Sequence, residues 1–330
     1  MPAYNAEATL EPCLRAINAA IRPGDEVIIY DDGATDSTNA IAVAAGVRIL
    51  RNDEAPKGPA HGRNAAAAVA SADLLLFVDA DVVIAADVID ILAADIVGSG
   101  AIAAFGSYDD APRSLRSTSL YANLRHHYVH QNGPVDASTF WSGIGMIDRK
   151  VFLRAGGYDA ALFKFPSIED VELGVRLISA GYRIRLVRSA QGKHCKDWSL
   201  WRVWHTDVVR RAIPWSGLIA DGQTAGVDLN LAAREKVTTL FALAVPVLLV
   251  ASVWNLWLLL AGFVAMGIYV YRNRGFFDVL RRRMGVPDFL MGIAMHWFYH
   301  IYASVAFVSV FVLTRLGLRQ PPRYLSFKPS

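Results

Sequence analysis

The chain opens with short apolar runs that alternate with stretches of helical character. "VIIY" (27–30) is an apolar run of strand length ending in "DDG". "TDSTNAIAVAAG" (35–46) then predicts a helix, with Thr35 or Asp36 at the N-cap and Gly46 at the stop. "VRIL" (47–50) is strand-like, "AHGRNAAAAVAS" (60–71) is helical by its alanine content, and "LLLFV" (74–78) is again a strand. "VIDILAADIV" (88–97) has helical spacing before "AIAAF" (101–105) returns to strand. Such alternation predicts a mostly parallel sheet flanked by helices on both faces. In these sheets ligands bind beyond the carboxyl ends of the strands. Two acidic pairs, Asp31-Asp32 and Asp79/Asp81, sit at that edge.

The pattern changes after residue 236. From Val237 to Tyr271 there is no charged side chain, and from Phe289 to Leu313 only His296 and His300 are basic. As one helix the first run would reach about 52 Å, well beyond a ~30 Å hydrocarbon core, so two spans turning near Trp254-Asn255 fit better. With a third at roughly 289–313, about three transmembrane helices are expected. Residues 1–236 carry 24 basic and 28 acidic side chains, a balance of −4, whereas the remainder carries nine basic and two acidic, a balance of +7. That split predicts a globular domain followed by a membrane region with arginine-rich flanks, and a multi-pass protein of the cytoplasmic membrane with its domain in the cytoplasm. The basic tail Arg315, Arg319, Arg323 and Lys328 sits less easily with an odd number of spans. Between the two parts, "LWRVWHTDVVRRAIPW" (200–215) reads either as a basic amphipathic helix at a membrane surface or as a helix closing the domain. The expected domains are therefore 1–199, an interfacial linker at 200–236, and 237–330.

Candidate chemistry narrows the function. Two ionised carboxylates at the end of a buried strand need water, a cation or an array of donors. The pattern Val171, Val175, Leu177, Ile178 puts Glu169 and Asp170 at a helix N-terminus, where the dipole and free N–H groups favour an anion. No GxGxxG follows the first strand and no GxxxxGKS/T is present, which disfavours a dinucleotide fold or a phosphate-loop ATPase. Cys13 and Cys195 have no metal-ligand spacing and read as reduced thiols. His126, His127 and His130 lack a second pair at metal spacing and read as a surface or acceptor-side helix. No secretory signal precedes the domain, and no nucleic-acid partner is expected.

Taken in order, "PAYN" (2–5), "DDGATD" (31–36), "GPAHGRN" (58–64), "DAD" (79–81), "FWSGIGMIDRKVFLRAGGYD" (140–159) and "IEDVELGVRL" (168–177) resemble the family 2 glycosyltransferases of GT-A fold. These are inverting enzymes that use nucleotide-sugar donors, and the resemblance covers roughly residues 2–200. It implies that Asp81 ligates Mn²⁺ or Mg²⁺ and that Asp79 contacts the ribose or a metal-bound water. His194 aligns with a position that can supply a further metal ligand. Pro2, Ala3, Tyr4, Asp31 and Asp32 would bind the nucleoside of a UDP- or GDP-linked donor. Arg63, near a helix start, suits the donor phosphates. Asp170 would be the catalytic base with Glu169 orienting the acceptor, while Trp141, Ser142 and Gly143 would border sugar or acceptor. The implied reaction moves one sugar to a lipid or glycan acceptor at the cytoplasmic face. The strand that such a sheet has ahead of "PAYN" is missing from the sequence, which reads as a misassigned start or a truncation. Ala34 also replaces the serine of "DDGSTD". The QxxRW box of processive synthases is absent, which opposes that alternative. A non-catalytic sugar-nucleotide-binding membrane protein is opposed by the intact aspartate pairs.

Overall fold

The computed structural model describes residues 1–224 and 233–327, so part of the expected linker and Lys328 lie outside the described residues. In chain order the first elements are β1 (Pro2–Ala3), α1 (Leu10–Ala20), β2 (Ile28–Asp31), α2 (Thr38–Ala44), β3 (Arg48–Arg51), α3 (Pro59–Val69) and β4 (Leu74–Val78). They are followed by β5 (Val82–Ile84), α4 (Val88–Ser99), β6 (Ala103–Tyr108), α5 (Ser117–Asn132), β7 (Ile144–Asp148), α6 (Arg149–Arg154), α7 (Glu169–Ser179) and β8 (Ile184–His194). β1 lies within "PAYN" itself, and its two residues pair in parallel with Tyr30 and Asp31. α1 buries Leu10, Cys13, Leu14 and Ile17. That i, i+3, i+4, i+7 stripe is the amphipathic period of a helix with one face on the core. α2 begins at Thr38, and the Asp36 carboxylate accepts its N–H at 2.9 Å.

The sheet is mixed, which corrects the expectation of a mostly parallel one. β1, β2 and β3 form a parallel sheet, while five strands form a second in the order β4-β7-β6-β8-β5. There β7 runs antiparallel to both β4 and β6, β5 runs antiparallel to β8, and only β6 and β8 are parallel. Strand and helix alternation in residues 27–105 carries no signal of this, because the reversals come from β7, which inserts after the long α5, and from β5, whose three residues are too few to show a pattern. β4 is buried on both faces, with Leu75 and Phe77 among the alanines of α3 and the rings of Phe105, Phe140 and Phe152, and Val78 on the side of α1 and α4. This two-sided burial explains why the strand reads as an unbroken apolar run. β2, β4, β6 and β8 end at one edge, and they deliver Asp31, Asp79, Tyr108 and His194 there.

The C-terminal elements are α8 (Leu200–His205), a π-helical turn (Thr206–Ala212), α9 (Ile213–Ala220), α10 (Ala233–Ala251), α11 (Trp257–Arg272), α12 (Arg274–Arg283) and α13 (Val286–Arg315). The segment expected to be amphipathic turns Val203 and Asp207 inward and leaves Leu200, Trp201 and Trp204 exposed. α10 and α11 form a hairpin that turns at 252–256, as the uncharged run suggested. Three spans are not supported. Among the described residues only Val286–Arg315 is long and apolar enough to cross a membrane by length and composition, and the apolar Trp257–Arg272 falls short. α10 loses span length to Arg234, Glu235 and Lys236 at its start.

Close packing of β6 on β8 supplies a test of the architecture. A Cβ built on Gly106 would lie 2.0 Å from the Ala190 carbonyl oxygen. Gly106→Ala is expected to lower stability by about 1–3 kcal/mol, through overpacking that the strand pair cannot relax, read as a lower urea midpoint.

Candidate active site

The strand-end loop is pinned from behind. The Ala80 carbonyl accepts from Thr9 Oγ1 at 2.8 Å, just ahead of α1, and from Cys13 Sγ at 3.4 Å on it. The Asp81 carbonyl accepts the Cys195 N–H. Asp79 and Asp81 are thereby held beyond β4 with little freedom. Arg63, on α3, crosses the cleft floor beneath them. It is 4% exposed, and its Nη2 donates to Asp79 Oδ1 at 2.6 Å while its Nη1 donates to Glu169 Oε1 at 2.9 Å. Its guanidinium also lies 5.5 Å from the Tyr158 ring. The structure thus occupies Arg63 with two carboxylates rather than leaving it open toward a phosphate.

Glu169 is buried, and its second oxygen accepts the Ser167 N–H at 2.8 Å. Its neighbour Asp170 is only partly buried and opens α7. Asp170 Oδ2 accepts from the Ser142 N–H at 3.1 Å and the Ser142 hydroxyl at 3.3 Å, and Oδ1 accepts the Val171 N–H at 2.8 Å. Burial first, and then the Glu169 charge, push the Asp170 carboxyl up to about 6, with Ser142 and Arg63 opposing. The helix terminus alone pointed to a firmly ionised acid; desolvation and a like charge outweigh it. The neighbouring glycine serves packing, since a Cβ on Gly143 would meet the Trp141 ring at 2.2 Å.

Trp141 closes a cluster of rings that the sequence did not reveal. Its centroid lies 4.9 Å from Tyr108, 4.8 Å from His126 and 4.9 Å from His130. Tyr108 stacks on His194 at 4.3 Å. The histidines of α5 are therefore not a surface set. His127 and His130 place Nδ1 against the carbonyls of Tyr108 and Gly106, and buried His126 Nδ1 has no partner among the described residues. Burial and the adjacent His130 hold His126 well below its usual pKa. His126 and His130 lie four residues apart, which was the available signal; Tyr108 had none beyond its place at a strand end.

For a divalent cation, Asp81 and His194 are the residues that fit. His194 Nε2 lies 3.7 Å from Asp81 Oδ2, and Lys196 Nζ lies 4.0 Å from the same oxygen. Burial works against the charged form of Asp81, but His194 and Lys196 prevail and hold its carboxyl below the usual range. An oxygen and an imidazole nitrogen at this separation suit an ion such as Mn²⁺ that takes its other ligands from phosphate and water. Among the described residues no three or more His, Cys, Asp or Glu groups gather as a fuller shell. The bonded oxygen of Asp79 faces Arg63.

The nucleoside residues divide. Asp31 is 1% exposed and accepts from the Ala34 N–H and the Asn39 amide. Asp32 accepts from Asn52 Nδ2 at 3.0 Å, the Lys57 N–H at 2.9 Å and the Gly58 N–H at 2.7 Å, so it ties the 52–58 loop to β2. Lys57 itself pairs with Glu54 at 2.8 Å. Gly58 is required there, with φ at +90° and its Cβ position 2.1 Å from the Lys164 carbonyl oxygen. Ala3 is buried, Pro2 is half-buried, and Tyr4 is exposed at the end of β1.

Comparison with known proteins bears on this arrangement. Residues 1–156 match the model of glycosyl transferase family 2. The match spans 156 of the 330 residues, so it is the N-terminal part of the chain that carries the likeness to that family. A segment of 88 residues is 35% identical to glucosyl-3-phosphoglycerate synthase of Mycobacterium tuberculosis, spanning 24% of this chain and 26% of that relative's length. Among solved structures, the mannosyltransferase PcManGT from Pyrobaculum calidifontis, in complex with GDP-Man and Mn²⁺, aligns over 93% of this chain and 85% of its own with a TM-score of 0.54 and 16% identity. The Mycobacterium tuberculosis synthase with Mn²⁺ and UDP-Glc aligns over 69% of this chain and 78% of its own, with a TM-score of 0.46 and 22% identity. The Pyrobaculum likeness is one of fold, and the family 2 fold here is of GT-A type.

Arg63 offers the sharpest test of this geometry. Arg63→Met strands Glu169 and part of Asp79 without a cation, at an expected cost of about 3–5 kcal/mol. Urea denaturation reads that loss, and Arg63→Lys should recover part of it by keeping the charge.

Proposed function

We propose that this chain is an inverting glycosyltransferase that moves one sugar from a UDP- or GDP-linked donor to a hydroxyl or phosphate of a membrane-borne acceptor. The observation that carries the reading is the Arg63 bridge, which joins a carboxylate of the strand-end pair to the acid beside Asp170. Donor-side and acceptor-side carboxylates therefore border one cleft. Asp81 and His194 would hold Mn²⁺ or Mg²⁺. Such an ion supplies positive charge against a departing diphosphate. Tyr4 offers an exposed ring for the base to stack on, beside Pro2 and Ala3, with Asp31 and Asp32 fixing the loops around it.

Asp170 performs the acid–base step. Its carboxylate takes the proton of the acceptor hydroxyl as that oxygen bonds to the anomeric carbon, and the bond from that carbon to the nucleotide phosphate breaks with the electron pair leaving on the nucleotide. One displacement inverts the centre and needs no second nucleophile. Ser142 fixes the direction in which Asp170 points, Glu169 and Arg63 set its charge state, and Trp141 offers a wall for the acceptor. We assign catalysis to residues 1–199, a linker role to 200–236 and membrane association to 237–330, with the domain on the cytoplasmic side where arginine-rich flanks favour anionic lipid. A lipid-linked acceptor follows from that placement and is favoured over a soluble glycan.

Donor hydrolysis and nucleotide binding with and without Mn²⁺, using GDP-mannose and UDP-glucose first, test the proposal. Transfer should need the ion, and binding of both nucleotides unchanged by Mn²⁺ or Mg²⁺ with no hydrolysis overturns it. Asp170→Asn should reduce turnover by about 10²–10⁴-fold while nucleotide affinity stays within a few-fold. With a carboxyl near 6, kcat/KM should fall about tenfold per pH unit below that value and level off above it, because only the ionised form accepts the proton.

A further inference from the structure

The longest apolar helix is fastened to the sheet domain at both ends. Near its start, Ser117 of α5 donates to Asp288. In its middle, Tyr302 donates to Asp207 at 2.7 Å, and Tyr121 meets His296 at 3.3 Å. Just past its end, Arg319 makes two bonds to Asp221, at 2.6 and 2.8 Å, and Tyr324 donates to the same carboxylate at 2.8 Å. Asp221 follows α9, whose Leu218 packs with Phe163, Ile168, Val171 and Val175 of the domain. The chain beyond returns to stack Phe327 on Tyr182. A helix of 30 residues is about 45 Å long, enough to cross, but crossing puts its two ends in opposite water phases. One rigid domain holding both ends excludes that. It would also carry the Arg125–Asp207 and Arg319–Asp221 pairs to membrane depth, where charged side chains are costly.

Among the described residues the hairpin of α10 and α11 is fastened at its base. Thr238 meets Arg272 at 2.9 Å, Trp297 donates to the Ala242 carbonyl, and Tyr269 meets His300. Burial ends at Val245 on one arm and Ala265 on the other, apart from Gly262 within the hairpin. The arms beyond run only about 9–12 Å at 1.5 Å per residue, the depth of one leaflet and not of two. The tip is apolar and open: Val253 is 82%, Trp254 79% and Trp257 77% exposed. Charge collects where this surface meets water. Arg274 lies 4.2 Å from the Tyr271 ring, Arg315 lies 4.9 Å from Phe311, and Arg281 on α12 is exposed. Cations bordering an apolar, tryptophan-tipped surface complement anionic headgroups over acyl chains.

We propose that α10, α11 and α13 dock this protein on one leaflet of an anionic phospholipid bilayer, with the hairpin tip inserted and α13 lying along the membrane plane. The inference rests on the membrane part of the proposed function and is independent of its chemistry, so Asp170→Asn, in an otherwise unchanged full chain, serves as the background for the test. Cysteines are introduced by Val286→Cys and by Leu318→Cys, at exposed positions at the start of α13 and just past its end, in full-length protein carried by membrane vesicles of either orientation. Both should react with a membrane-impermeant maleimide in the same orientation of vesicle; reaction from opposite sides overturns the proposal. In flotation with phosphatidylcholine vesicles containing phosphatidylglycerol, the double variant Trp254→Glu, Trp257→Glu should float at least tenfold less than its parent while keeping its melting temperature. Undiminished flotation overturns the inserted tip. An assembly in solution that the same double variant breaks to monomers also overturns it, since a second copy would then be the occupant.

Discussion

One buried guanidinium organises the cleft. Arg63 is out of water between Asp79 and Glu169, carboxylates delivered by a strand end and a helix start. Removing a charge from water costs several kcal/mol, so such a group is tolerated only where its partners are fixed. That requirement extends outward. The next residue, Asn64, both accepts from the Tyr158 N–H and donates to its carbonyl, which docks the "GGYD" turn on α3. From the other side Arg176 donates to the Gly157 carbonyl and pairs with Glu172 one turn away. Helix, turn and α7 behave as one block because each polar contact buries a group the others must satisfy.

The same block sets the electrostatics of Asp170. Burial and the Glu169 charge lift its carboxyl, while Arg63 and Ser142 pull it down, and the outcome is about 6. A base poised near neutrality is a better proton acceptor than a fully exposed aspartate, and it is still mostly ionised at pH 7. On the other wall Asp81 moves in the opposite direction under His194 and Lys196. Two acids in one cleft are driven apart by their neighbours, which is what the proposed division between proton acceptance and cation holding requires.

The C-terminal helices follow a different logic. The sheet domain buries its apolar faces, whereas α10, α11 and α13 leave much of theirs outside. Their polar residues point inward, to Asp207, Tyr121 and Asn273. Arg125 meets Asp207 between α5 and the π-helical turn, so the apolar layer is joined to the helix that carries His126 and His130 through a paired charge. An acceptor held at a lipid surface would thus lie next to the elements that carry the histidines and Trp141.

The sequence by itself determined the strands and helices of residues 27–105 apart from the short β5, the edge at which the acids gather, the order of the motifs and the break in character near residue 236. These follow from local burial, which leaves a period and a composition that can be read. Tertiary structure decided the rest. The antiparallel entry of β7, the stacking of Tyr108 on His194 and the inward turn of the α5 histidines have no local signature. The apolar content of 286–315 was plain, yet the bonds that tie both of its ends to the domain were not. Arg63 and Glu169 are 106 residues apart. Periodicity reports that a residue is buried, but only the folded chain chooses its partner, and here the partner turns an apparent phosphate-binding arginine into the bridge beneath the site.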